Sequence, residues 1–290
     1  SSGIRRFFDL VMNSKDVISL GVGEPDFATP WSVREEAIYS LEKGTTAYTS
    51  NQGIEELRNK ISAYLNSRFS VKYSHKHEVL VTVGASEAID ISLRTILNPG
   101  DEVIIFEPSF VSYSPLVKLA GGIPISLDTT TTDFLPDIKE LKKLISKKTK
   151  AVIFCSPNNP TGAVIPRKLL IKIAELAEIF DFWVISDEIY AEICFDKTFV
   201  SFASLPSVKK RCILISGFSK AFSMTGWRLG YLCGPKPFIE RALKIHQYSM
   251  MCASTQSQYA AIEALNDDVM IEIEKMVDSY EKRCRYFVSQ

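Results

Sequence analysis

The chain has 290 residues, 46% of them apolar and 23% charged, and its 34 basic and 34 acidic side chains cancel. Such a chain can bury a sizeable core, and its balance gives no reason to expect nucleic acid or an anionic membrane as partner. No run approaches the ~20 apolar residues of a membrane span, the opening SSGIRRFFDL lacks the apolar core expected of a secretory leader, and the six cysteines lack metal-site spacing to each other or to histidine. A cytoplasmic protein with free thiols and no metal is therefore expected.

In chain order, residues 78–83 (EVLVTV) read as a strand and 86–97 as a helix. Residues 102–106 (EVIIF) are a strand followed by helical FVSYSPLVKLAGG, which stops at its glycines. Residues 123–127 (IPISL) precede the helical PDIKELKKLI, whose Pro136 suits a first helical turn. Residues 151–155 (AVIFC) precede a helix opening near Pro166, and 182–186, 212–216 and 229–234 complete the strands. Both parities of these strands are apolar, as strands covered by helices on both faces require. The alternation predicts an α/β fold: a doubly wound, mostly parallel sheet with helices on both faces. Helices are expected over 236–247, 253–265 and 269–287, the last with an apolar stripe through Val269, Ile273, Met276, Val277 and Tyr280. No stop signal follows, so the chain is expected to break off inside an element.

Open α/β sheets bind ligands beyond the carboxyl ends of their strands. Gly84-Ala85-Ser86 opens a helix there, and free N–H groups at a helix start favour an anion. Ser219 and Arg228 could add a hydroxyl and a bidentate guanidinium. The glycine fingerprints of dinucleotide and P-loop sites are absent, which disfavours a nicotinamide-dependent dehydrogenase. Singly, Phe110 reads as core, Asn159 as a turn residue, Asp187 as a cap and Lys220 as a solvated lysine. At one sheet edge they become a ring to stack, polar groups, an acid and an amine able to act as nucleophile. Lys220 and Arg228 also lie in SGFSKAFSMTGWRLGY, among small and aromatic neighbours that look buried. A buried ammonium there needs an anion, a carboxylate or a covalent adduct.

The segments GVGEPDFATP (21–30), AYTSNQG (47–53), VGASEAI (83–89), SPNNPTGAV (156–164), SDEIY (186–190) and SGFSKAFSMTGWRLGY (216–231) resemble, in family order, the motifs of class I aminotransferases. These are pyridoxal 5′-phosphate (PLP) enzymes of fold type I, the aspartate and aromatic aminotransferases among them. The resemblance covers residues from about 18 to 265. It implies that Lys220 carries PLP as a Schiff base and moves the substrate proton, that Asp187 faces the pyridine nitrogen, and that Tyr190 and Asn159 hold the ring's 3′ oxygen. Phe110 would stack on the ring; Ala85, Ser86, Ser219 and Arg228 would hold the phosphate. Gly23 and Asn159 would contact the substrate. Tyr48 would reach the phosphate of a neighbouring subunit, which implies a homodimer.

The implied reaction moves an amino group from an L-amino acid to a 2-oxo acid in two ping-pong halves. A C–S β-lyase or a PLP-binding regulator domain would share the cofactor motifs, so both stay open. The resemblance also divides the chain into an N-terminal segment (1–45), a PLP-binding large domain (46–267) and the start of a C-terminal small domain (268–290). The rest of that domain, with the arginine that clamps the substrate carboxylate, is expected beyond Gln290. One departure concerns Gly217, where many relatives carry a phosphate-binding serine.

Overall fold

The structure is a computed structural model that describes residues 23–196 and 198–290. A seven-stranded sheet organises it. In chain order the strands are β1 (Val79–Thr82), β2 (Glu102–Glu107), β3 (Ile123–Asp128), β4 (Thr149–Cys155), β5 (Trp183–Asp187), β6 (Cys212–Gly217) and β7 (Gly230–Cys233). The helices are α1 (Trp31–Glu42), α2 (Glu55–Phe69), α3 (Gly84–Ile96), α4 (Tyr113–Leu119), α5 (Ile138–Leu144), α6 (Arg167–Phe180), α7 (Lys236–Ser249), α8 (Thr255–Ala264) and α9 (Asp267–Ser289). Each expected strand is present within a residue or two, and the fold is the doubly wound α/β architecture.

Across the sheet the order is β1-β7-β6-β5-β4-β2-β3. The β6-β5-β4-β2-β3 pairs are all parallel, whereas β7 runs antiparallel to both β6 and β1. The carboxyl ends of β1, β2, β4, β5 and β6 therefore share one edge of the sheet, and the amino end of β7 joins them there. That geometry gathers short peptide segments from six places in the chain into one region.

The apolar residues of each strand divide between two cores by parity, because successive side chains point to opposite faces. Val152, Phe154, Val184 and Leu214 pack on one face with Leu57 and Ile61 of α2, Ile173 of α6 and Ile273 of α9. Ile153, Ile185, Ile213 and Leu232 pack on the other with Ile89 and Leu93 of α3 and Phe238 and Ile239 of α7. Each fully buried aliphatic side chain contributes about 1.5–3 kcal/mol, so both faces are strongly specified. Helix α1 packs against α8, while Val269, Ile273 and Met276 of α9 are buried in the first core.

One local expectation is corrected. Pro136 does not enter the first turn of α5. Asp137 caps that helix instead, its carboxylate accepting hydrogen bonds from the N–H groups of Lys139 at 2.7 Å and Glu140 at 3.3 Å. A side-chain acceptor satisfies two orphan donors there, which a proline ring cannot do.

Candidate active site

The last residue of β5 is Asp187, only 4% exposed. Its Oδ2 accepts a hydrogen bond from the Tyr113 hydroxyl at 2.7 Å, and its Oδ1 accepts one from the Ile189 N–H at 3.2 Å. Burial pushes the carboxyl up to about 6, while Tyr113 and the Ile189 N–H pull it the other way. Desolvation wins because two neutral donors do not replace a hydration shell. A cation placed against this carboxylate would reverse the balance.

Strand β6 lies beside β5 and runs into the turn that carries Ser219 and Lys220. The Lys220 amine donates to the Gly23 carbonyl at 2.6 Å and lies 5.9 Å from the centre of the Tyr190 ring. Burial lowers its pKa below the ordinary lysine value; Glu24 opposes that and Arg228 adds to it. An amine so poised has its nucleophilic lone pair free more often than a solvated lysine does. Most of the neighbours that look buried in the sequence are buried, but the charged ends are not. Lys220 is half-buried and Arg228 exposed, and only neighbours such as Ala221, Phe222 and Met224 are buried. The physical reason is that the turn lines a cleft, so the charged ends keep access to water.

The Tyr190 hydroxyl accepts from Asn159 Nδ2 at 3.4 Å, and burial raises the phenol to about 12. The Phe110 ring packs edge-on against Tyr113, with centroids 5.7 Å apart.

Helix α3 starts where β1 ends, and no side chain of its N-cap residue, Val83, closes it. Gly84 has φ +74°, and a Cβ there would lie 2.7 Å from Arg228 Nη2. A Cβ on Gly230 would lie 2.6 Å from the Ala85 nitrogen. The two glycines thus allow β7 and the Arg228 guanidinium to approach the first turn of α3, whose N–H groups remain open to an anion. Arg228 itself has φ +52° and donates from Nη1 to the Thr225 carbonyl at 3.1 Å. Ser219 is buried at the same place.

A cleft of about 680 Å³ collects these groups. Its walls include Ala85, Ser86, Phe110, Asn159, Asp187, Tyr190, Ser219, Lys220 and Arg228, all nine of them sequence-derived candidates. Gly23 joins them through its bond to Lys220. Tyr48 does not line the cleft and is 78% exposed. The sequence reading missed Glu24, Cys155, Ile189 and Thr225 in the walls and Tyr113 behind Asp187. Glu24, Ile189 and Thr225 lie inside the quoted motifs and Cys155 ends a predicted strand, whereas Tyr113 shows only as the ring three residues after Phe110; its hydroxyl's target depends on β2 and β5 lying near one another.

The donor set fits PLP: an amine for the aldehyde, a desolvated acid for the ring nitrogen, an aromatic wall, and a helix start with an arginine for the phosphate. An adjoining hollow of about 720 Å³ shares Thr225 and Arg228 but is lined by neither an amine nor a buried acid.

Sequence and structure comparison agree on the family. The model of aminotransferase class I and II matches residues 15–290. The Bacillus subtilis protein YugH, named as an aminotransferase, is 53% identical over 288 residues, which cover 99% of this chain and 74% of that protein. Pyrococcus abyssi aspartate aminotransferase is 43% identical over 285 residues, covering 97% of this chain and 73% of the relative. The crystal structure of an aromatic aminotransferase from Pyrococcus horikoshii superposes with a TM-score of 0.91 at 41% identity, covering 98% of this chain and 76% of that one. The family implies PLP as cofactor, and the chain belongs to the class I and II aminotransferases, transferases of the group EC 2.6.1.

Proposed function

We propose that the protein transfers an amino group from an L-amino acid to a 2-oxo acid in two ping-pong halves, with Lys220, Asp187 and Tyr190 as catalytic residues. The observation that carries this reading is the placement of Asp187 and Lys220 at the ends of adjacent parallel strands in one cleft. PLP, when bound there, supplies a sink for the electrons left at the substrate's Cα. Lys220 would hold the cofactor through its half-buried amine, which, when free, would carry the substrate's proton between Cα and the cofactor's C4′. Asp187, buried and short of a cation, favours the protonated ring nitrogen. Tyr190 and Asn159 would hold the ring's 3′ oxygen, and Phe110 would offer an aromatic face to the ring.

Ala85, Ser86, Ser219 and Arg228 would bind the phosphate. Gly23 and Asn159 face the substrate. The relatives are named for aspartate and aromatic amino acids, which supports an amino acid as donor.

We further propose a homodimer in which Tyr48 completes the partner's phosphate site. Its support is a patch of exposed side chains: Tyr48, Tyr248, Met250 and Met251 are 78%, 88%, 51% and 46% exposed. Asn51 Nδ2 donates to the Met251 carbonyl at 3.0 Å and the Thr255 hydroxyl to the Ala47 carbonyl at 2.9 Å, so the patch is one surface. No helix among the described residues is long and apolar enough to cross a membrane; the proposed location is the cytoplasm.

The test is spectroscopic and kinetic. Protein mixed with PLP becomes yellow, and an amino acid without any acceptor bleaches that band as one half-reaction. Lys220→Ala removes the band and lowers turnover by at least ~10²–10⁴-fold, the usual worth of a positioned proton transfer. Wild-type protein that stays colourless with PLP would overturn the proposal.

A further inference from the structure

Behind the helix start described above lies a buried polar pair that the reaction does not touch. Glu87, in the first turn of α3, is 8% exposed, and His246 of α7 is fully buried. His246 Nδ1 and Glu87 Oε1 are 2.6 Å apart. The second carboxylate oxygen, Oε2, accepts a hydrogen bond from the Val83 N–H. Among the described residues His246 Nε2 has no hydrogen-bond partner.

Burying a glutamate and a histidine costs several kcal/mol unless each is paired. Apolar residues would fill the same space more favourably, since α3 and α7 pack through Ile89, Leu93, Ile239 and Ala242. Stability alone therefore does not account for the pair.

Its geometry points to a task at the mouth of the helix. Val83 is the N-cap residue of α3, and its own side chain offers no cap. Glu87 reaches back and takes the N-cap N–H, as the glutamate of a capping box does. The N–H groups of Gly84, Ala85 and Ser86 have no acceptor among the described residues. An untethered carboxylate in a first helical turn would seek those same donors and the positive end of the dipole. His246 holds the other oxygen on the α7 side and so keeps the negative charge off the anion cradle.

We propose that Glu87 and His246 are positioning residues for the cofactor phosphate: Glu87 fixes the β1–α3 turn through Val83, and His246 fixes Glu87. The inference rests on the reading of the cleft as a PLP site. It concerns only the phosphate end, so the cofactor's affinity compared with that of pyridoxal, which lacks the phosphate, isolates it.

The experiment strips the cofactor from the protein and titrates it with PLP and with pyridoxal, following absorbance. The quantity read is the ratio of the two dissociation constants. Glu87→Ala is expected to reduce the preference for PLP about tenfold, a change of about 1.4 kcal/mol, and to leave pyridoxal binding within about twofold. Glu87→Gln is expected to restore the preference, since its amide oxygen can accept from Val83 and its NH₂ can donate to His246. The double substitution Glu87→Leu with His246→Leu guards against a folding failure. Replacing a buried pair by apolar side chains keeps or raises stability, while the PLP preference is still expected to fall. An unchanged ratio in a folded variant, or equal losses for both ligands, would overturn the inference. Wild-type protein that forms no adduct with PLP would sink the proposed function as well.

Discussion

Two neighbouring acids end β5 and the turn after it, and their environments separate their roles. Asp187 opens onto the cleft, whereas Glu188 faces the opposite core, 3% exposed. Glu188 Oε1 accepts from the Ser186 hydroxyl at 2.9 Å and the Phe202 N–H at 3.0 Å. Burial raises its carboxyl from 4.5 to about 7, more than those donors lower it. A raised folded-state value means that the native protein binds the proton more tightly than the unfolded chain. The stabilisation is thus present below pH 4.5 and is lost as the pH rises through about 7. Glu188→Gln removes the titration, so relative to wild type the variant should gain stability between pH 5 and pH 8. The gain should reach about 1–3 kcal/mol at the upper end, at roughly 1.4 kcal/mol per pH unit. Urea unfolding at several pH values measures it, and a constant difference across the range would show that Glu188 is not the titrating group. Burial is the deciding quantity, and it is invisible in the dipeptide Asp-Glu.

At the scale of elements, the antiparallel pairing of β6 with β7 sets the anion cradle. Gly217 and Gly230 face one another in register. A Cβ on Gly217 would lie 2.9 Å from Gly230 Cα and 3.0 Å from the Leu229 carbonyl oxygen. This explains the glycine at position 217: the ladder leaves no room for a side chain. Gly217→Ser is expected to cost about 1–3 kcal/mol through overpacking, read as a shifted denaturant midpoint. A variant as stable as wild type would show that β7 can move outward, which would also displace Arg228.

At the scale of the whole molecule, the exposed patch around Tyr48 and Tyr248 joins two loops distant in sequence. Exposed aromatic and methionine side chains gathered in this way suit an interaction site, and the proposed occupant is a second copy. Sedimentation should find a dimer at micromolar concentration. Tyr248→Glu combined with Met250→Glu should shift it toward monomer and weaken PLP binding in parallel, because Tyr48 would no longer reach the partner's phosphate. A monomeric wild-type protein with undiminished PLP affinity would contradict the proposal.

The sheet was legible in the sequence because its strands are apolar at both parities, a signal that needs no tertiary information. The cleft residues were legible because they follow strand ends, and parallel strands bring those ends together. Three things were settled only by the folded chain. Strand order set Asp187 beside Lys220, since hydrogen-bond partners far apart in sequence are not written in any local pattern. Burial separated the two acids and left Lys220 at a wetted wall, because desolvation depends on everything that surrounds a group. Contacts such as Tyr113 on Asp187 and His246 on Glu87 span 74 and 159 residues. A single sequence carries local propensity and periodicity, but distances of that kind exist only once the core has packed.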